Sequence, residues 1–389
     1  MRTEGNQMMP DAENLELVRM RLAGLGRGYQ PADVAQALRG LGLVVSDAMV
    51  LRTLEELRRT SIGAGPLEPL LHLDGVTDVL VNGPGQVFVD RGQGLERSEL
   101  RFGDDDQVRR LAVRLAASVG RRLDEASPCV DARLADGTRV HAVLGGIADP
   151  GTCLSLRVPS HQAFPLERWV STGSLSRECA DLLASLVASR TAFLVSGGTG
   201  SGKTTLLASL LSLVPERERL LIVEDSRELA PDHPHCVRLE ARQPNAEGIG
   251  AVSLTHLVRQ ALRMRPDRLV LGEVRGAELC DLLTALNTGH EGGCGTVHAN
   301  SATDVPARLE ALAALGGMGR DACHAQVASA LRVVVHVRRW PSGSRGVAQI
   351  GVVRRQPDRT IEVVEAIGFD ASARPRPGPA WDELVGMLS

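Results

Sequence analysis

The octet GGTGSGKT, Gly197 to Thr204, lies between the apolar run TAFLVS and the helical run TTLLASLLSLV. It fits G-x-x-x-x-G-K-[ST], and a strand before it with a helix after it is the context that pattern requires. Glycines at 197, 198, 200 and 202 let the backbone turn with its N–H groups inward. That makes an anion nest at a helix N-terminus. The whole loop, Gly197, Gly198, Thr199, Gly200, Ser201, Gly202, Lys203, Thr204 and Thr205, is the expected cofactor-binding segment for ATP. Lys203 reaches the β- and γ-phosphates, Thr204 brings its hydroxyl to Mg2+, and Thr205 caps or packs in the first turn. Of 44 Lys plus Arg, Lys203 is the single lysine in a chain that otherwise uses arginine. A compact ammonium suits a phosphate cradle where a planar guanidinium does not.

The runs TAFLVS, RLLIVE and RLVLGE lack polar alternation and are separated by helical patterns. Parallel strands buried on both faces read this way, which predicts a doubly wound α/β core. In RPDRLVLGEVRG, the strand Arg268 to Gly272 delivers Glu273 at its C-terminal end. Ligands bind at that edge of a parallel sheet, so Glu273 is placed to polarise water. The plainer reading is a strand-end carboxylate paired with Arg275; Asp267 caps or buttresses the turn. The run RLLIVED ends in a second acidic cluster, Glu224, Asp225 and Glu228. These are candidates to hold magnesium-bound waters, directly or through a second layer, or simply to cap a helix. The glycine-dense TGHEGGCGTVHAN carries His290 and His298, each either a γ-phosphate sensor or a histidine satisfying a core hydrogen bond.

A chain of 389 residues exceeds what one hydrophobic core usually supports. Residues 1–60 place Leu15, Val18, Leu22 and Leu25, then Leu51, Leu54 and Leu57, at helical spacing, a helical N-terminal extension. Residues 61–160 alternate β-type runs such as TDVLVNG, GQVFVDRG and TCLSLRV with a helix near Asp106 to Gly120, an α+β domain. Proline and small polar residues make 161–175 a linker. The nucleotide-binding domain then occupies 176–370, ending in VVVHVRR, GVAQIGVVRR and TIEVVEAIGF as an antiparallel appendage with a QPDR turn. Residues 371–389 read as a loose, proline-rich tail.

Composition, 43% apolar and 23% charged, is that of a soluble globular protein. A net charge of -3, one Tyr, five Phe and three Trp leave no basic or stacking surface for a nucleic-acid motor, so no nucleic acid is expected. Seven cysteines with no C-x-x-C pair read as reduced thiols. No apolar stretch approaches the ~18 residues of a membrane span, and the start lacks the apolar segment of a signal peptide, so a cytoplasmic chain is expected.

Taken together, GGTGSGKTT, LLIVEDSREL, ALRMRPDRLVLGEVRG and NTGHEGGCGTVHAN resemble, in order, the Walker A, Asp, Walker B and His boxes of the type II/type IV secretion ATPase superfamily. Within it, LVRQALRMRPDRLVLGEVRG and NTGHEGGCGTVHANSATD are similar to the CpaF/TadA type of Flp (tight-adherence) pilus-assembly ATPase. GPLEPLL, TDVLVNG, VGRRLDEASPCVDARLADGTRV and LSLRV extend the likeness over residues 65 to 350. The chain departs at Glu291, Gly293, Cys294 and Gly295, where that family often shows GHDGSLSTIHAN, and lacks the four-cysteine insertion of pilus-extension ATPases.

The resemblance implies a RecA-like P-loop motor domain preceded by a smaller PAS-like α+β domain, six copies in a homohexamer, and nucleotide between the domains. The implied catalytic set is Glu273, Lys203 and His298, with Arg139 of DGTRV and Arg157 of LSLRV as arginine fingers and Arg133 as a further candidate. Such fingers are worth ~10³ to 10⁵ in rate. It implies inner-membrane platform proteins as partners, and through them a peripheral association with the inner face of the cell membrane. A conjugation or type IV secretion traffic ATPase shares the same site, and a regulatory nucleotide-binding module is the blander alternative.

Overall fold

The computed structural model describes residues 14, 17–18, 21–22, 30–61, 63–92, 94–159, 164–244 and 248–388, with the side chains of 55–61 outside that description. The chain divides into two compact units, Met1–Pro159 and Ser160–Ser389. Among the described residues no helix is long and apolar enough to cross a membrane.

The first unit includes helices Pro31–Arg39 and Asp47–Ser61 near its start. Val34, Ala37, Leu38, Val50 and Leu54 bury their side chains together with Val18 and Leu22. Leu51, expected on the apolar stripe, is 63% exposed, because the buried face is set by its neighbours Val50 and Leu54. Leu15, Leu25 and the side chain of Leu57 lie outside the described residues.

Six strands follow: β1 (Asp78–Asn82), β2 (Val87–Asp90), β3 (Leu95–Arg97), β4 (Cys129–Arg133), β5 (Arg139–Val143) and β6 (Cys153–Arg157). They form one antiparallel sheet in the order β3-β2-β1-β6-β5-β4. Alternation sorts the two faces: Val79, Val81, Leu154 and Leu156 are buried, whereas Asp78, Ser155 and Arg157 are not. The buried face packs with Val108, Leu111, Ala112 and Leu115 of helix Asp105–Ser118, whose N-terminus is capped by Asp104 accepting from Gln107 N–H at 2.8 Å.

The second unit is built on nine strands: β7 (Phe193–Gly197), β8 (Leu220–Glu224), β9 (Cys236–Glu240), β10 (Arg268–Leu271), β11 (Cys294–His298), β12 (Val333–Arg339), β13 (Arg345–Arg355), β14 (Ile361–Phe369) and β15 (Pro375–Pro377). Their order is β15-β14-β13-β12-β7-β11-β10-β8-β9. Every pairing from β12 to β9 is parallel, and every pairing from β12 to β15 is antiparallel. The run VVVHVRR therefore belongs to the parallel core beside β7, and the antiparallel appendage starts one strand later than its sequence position implied. Strands β7, β8 and β10 are buried along their whole length, sandwiched between two apolar clusters, one on each face.

Two segments that read as connecting chain join this core. Residues Leu166–Ser171 form a helix whose Leu166 and Trp169 are buried with Leu175 in the cluster around β7. Trp169 is 3% exposed and its indole N–H donates to Ser209 Oγ at 2.9 Å, so burial of one large aromatic overrides the loop-like composition. His161, Gln162 and Ala163 lie outside the described residues. The tail is likewise not loose: β15 pairs with β14, and helix Trp381–Leu388 buries Leu384 in the same cluster. Prolines are tolerated in β15 because it is the sheet edge and needs few N–H donors. Leu384→Ala should therefore cost about 2–4 kcal/mol of stability in urea denaturation, and no change in midpoint would mean the helix does not dock.

Candidate nucleotide site

The site lies where parallel strands end. Gly197 closes β7, Glu224 closes β8, Glu273 stands two residues past β10 and His298 closes β11, so the chain delivers all four to one edge of the sheet. The loop leaves β7 through Gly197, at φ 155°, where an added Cβ would run into the carbonyl oxygen of Val337. It enters helix Lys203–Leu211 through Gly202 at φ 98°, a left-handed conformation open to glycine, and no side chain caps that helix. A Cβ on Gly198 or Gly200 would meet nothing within 4 Å. The outer surface of the turn is thus bare backbone, a cradle shaped for a group that must approach closely.

Lys203 is 6% exposed, and its ammonium donates to Gly197 O at 3.1 Å and Gly198 O at 2.8 Å. Burial lowers its pKa, opposed by the negative charges of Glu273 and Glu228. Ser201 ties the turn by donating to Gly198 O at 2.9 Å. Thr204 is half-buried and Thr205 exposed on the first helical turn.

Across from the loop, Glu273 Oε2 accepts from Arg275 Nη2 at 2.7 Å, and its Oε1 lies 3.1 Å from His298 Nε2. Arg275 also lies 3.6 Å from Asp225 Oδ2. Burial alone would raise the pKa of Glu273, but Arg275, His298 and Lys203 together hold it below the ordinary value. His298 is lowered by burial and then by Lys203, so its neutral imidazole can donate to the carboxylate. A cleft of about 470 Å³ opens beside these groups, lined by Gly197, Gly198, Thr199, His298, Asn300 and Arg308 among others.

The family model described as type II/IV secretion system protein matches residues 60–365. This chain belongs to that family. A Mycobacterium tuberculosis protein provisionally named a conjugal transfer protein is 55% identical over 326 residues, 82% of this chain and 93% of that one. The type IV secretion system protein PtlH of Bordetella pertussis is 36% identical over 265 residues, covering 62% of this chain and 78% of the relative. In fold, the secretion-family chain is similar to the pilus retraction motor PilT with bound ADP, at TM-score 0.54 and 20% identity over 76% of this chain and 84% of that structure. The Legionella pneumophila ATPase DotB gives TM-score 0.51 at 19% identity over 75% and 79%. These likenesses place the chain in the α/β class with a RecA-like fold.

Within this secretion-family chain the remaining residues of interest separate. Glu224, 2% exposed, accepts through Oε1 from the N–H groups of Glu228 and Leu229, both at 2.8 Å, and its Oε2 has no hydrogen-bond partner. Burial raises its pKa, and its carboxylate fixes the turn that carries Asp225 and Glu228. His290 sits four residues ahead of β11, at the opposite end of that strand from His298, so the chain does not bring it to the glycine loop. Arg139 and Arg157 are direct cross-strand partners in the first unit, with Arg133 opposite Arg139 and Asp78 opposite Arg157. Arg157 Nε lies 3.1 Å from Asp78 Oδ1.

Sequence reasoning missed a buried pair beneath the loop, Ser196 Oγ and His336 Nδ1 at 2.9 Å. The one signal for it was a histidine inside the apolar run VVVHVRR. It also passed over Asn300, two residues past β11, and Arg308 of the cleft, because nothing in the local sequence marks a loop end or a helix face that points at a loop from another strand. Glu224→Gln keeps an acceptor for both N–H groups and should change stability by about 1 kcal/mol or less. Glu224→Ala should lose about 1–3 kcal/mol for each N–H left without a partner. Replacing a residue that supports a metal typically costs ~10- to 100-fold in affinity, so a loss of that size in Mg2+-dependent nucleotide binding by Glu224→Gln would reassign this carboxylate to the metal.

Proposed function

We propose that this chain is a motor ATPase that binds Mg·ATP at the Lys203 loop and hydrolyses it to drive transport through a membrane-embedded secretion machine. The observation that carries this reading is the convergence of Lys203, Glu273 and His298 on one sheet edge in a secretion-family chain. Glu273 orients and polarises the attacking water, and His298 holds the carboxylate from its other side. Lys203 leaves the carbonyls of its own loop for the β- and γ-phosphates, a better partner for a buried cation.

No group of three or more His, Cys, Asp or Glu among the described residues could hold a metal ion alone. Mg2+ would arrive with the nucleotide phosphates, with Thr204 supplying a hydroxyl and Glu228 facing its water shell. Bound there, the ion neutralises charge on the phosphates. The likeness of DGTRV and LSLRV to the family's motifs supports Arg139 and Arg157 as arginine fingers in a homohexamer.

The names of the relatives favour conjugal transfer or type IV secretion as the process served. The near-continuous likeness of residues 257–304 to the Flp pilus pattern favours pilus assembly as the second reading. Both place inner-membrane platform proteins as partners, with the chain on the cytoplasmic face. Steady-state hydrolysis by the purified chain, alone and with detergent-solubilised platform proteins, tests the motor. Glu273→Gln should bind ATP but lose about 10²- to 10³-fold in kcat, and Lys203→Ala should fail to bind. Normal turnover by Glu273→Gln would remove Glu273 from the mechanism.

A further inference from the structure

Glu273 is the group on which the ATPase reading depends, yet its Oε2 is bonded to the most strongly cationic side chain available. A charge-assisted bond to a guanidinium draws on the lone pairs a base would offer, and so weakens the carboxylate toward water. Arg275 is not committed to this partner. Its guanidinium spans Glu273 at 2.7 Å and Asp225 at 3.6 Å, two carboxylates delivered by different strands, β10 and β8.

The backbone around it is held independently. Glu278, 5% exposed, accepts from the N–H of Arg275 at 2.6 Å and of Gly276 at 2.7 Å. The main chain is pinned, while the side chain is 57% exposed. A long side chain on a fixed backbone, with one acceptor on either side, can pass from one to the other by a change of rotamer alone, with no movement of the fold.

We propose that Arg275 is a positioning residue that restrains Glu273, and that Asp225 is the acceptor that takes Arg275 when Glu273 is released to polarise water. This rests on the ATPase reading and deepens it. Basal turnover is then set in part by how often Arg275 leaves Glu273. The depressed pKa of Glu273, where Arg275 and His298 outweigh burial, accords with a carboxylate held below its full basicity.

The experiment compares steady-state ATP hydrolysis by full-length wild type, Arg275→Gln, Arg275→Lys, Asp225→Asn, the Asp225→Asn/Arg275→Gln double variant and Glu273→Gln. Arg275→Gln should raise basal kcat about threefold or more with KM within about twofold of wild type, the size a modest gain in basicity gives through Brønsted behaviour. Arg275→Lys, which keeps the charge, should stay near wild type. Asp225→Asn removes the second acceptor and should be slower than wild type, and the double variant should return to the Arg275→Gln rate. That return separates an acceptor role from metal support, which a second substitution at Arg275 would not restore. An Arg275→Gln rate at or below wild type, or a double variant as slow as Asp225→Asn, overturns the inference while Glu273-dependent hydrolysis by wild type leaves the ATPase reading standing. Absence of any Glu273-dependent hydrolysis in wild type would bring down both.

Discussion

The buried ammonium of Lys203 is the constraint on which the site depends. A cation 6% exposed is tolerated only with acceptors around it, and two carbonyls of its own loop supply them. Those carbonyls point inward because Gly197 and Gly202 adopt conformations closed to other residues, and because β7 is clamped between β11 and β12 so that the loop begins at a fixed place. Residues far from the chemistry hold that place: Trp169 packs within 3.3 Å of where a Cβ on Gly202 would sit, and bonds Ser209 on the helix that the loop opens.

Charge balance organises the opposite wall. Glu273 is surrounded by Arg275, His298 and Lys203; Arg275 has Asp225 as a second partner, and Lys203 has the carbonyls of its own loop. Glu224 gives one oxygen to two backbone N–H groups and faces Arg238 Nε with the other at 3.8 Å, and it sets the turn that presents Asp225 and Glu228. The acidic cluster therefore divides into a carboxylate that shapes the loop and carboxylates that face the site. A shared place at the end of one strand concealed that difference, since it lies in side-chain direction.

What the sequence made legible follows the same physics. The runs at β7, β8 and β10 were readable because strands buried on both faces have no polar alternation, and Glu273 was readable because such strands end at the ligand edge. Trp169 and the C-terminal helix were not readable, since proline and serine dominate their local composition and only the tertiary partners Ser209 and the β7 cluster show that they pack. His290 and His298 share one glycine-rich segment and looked equivalent; a five-residue strand, spanning roughly 17 Å, separates them to opposite ends of the sheet. Arg275 was visible only as the plain salt-bridge partner of Glu273. Its second contact, to Asp225, joins positions far apart in the sequence, brought together by the neighbouring strands β8 and β10, and needed the fold to appear.

The central claim is that the glycine loop around Lys203 recognises phosphate. Calorimetric titration of the purified chain with ATP, ADP and adenosine in the presence of Mg2+ tests it most directly. ATP and ADP should bind while adenosine binds at least about 100-fold more weakly, because the charged hydrogen bonds go to the phosphates. Equal affinity for all three would place recognition on the nucleoside and contradict the account.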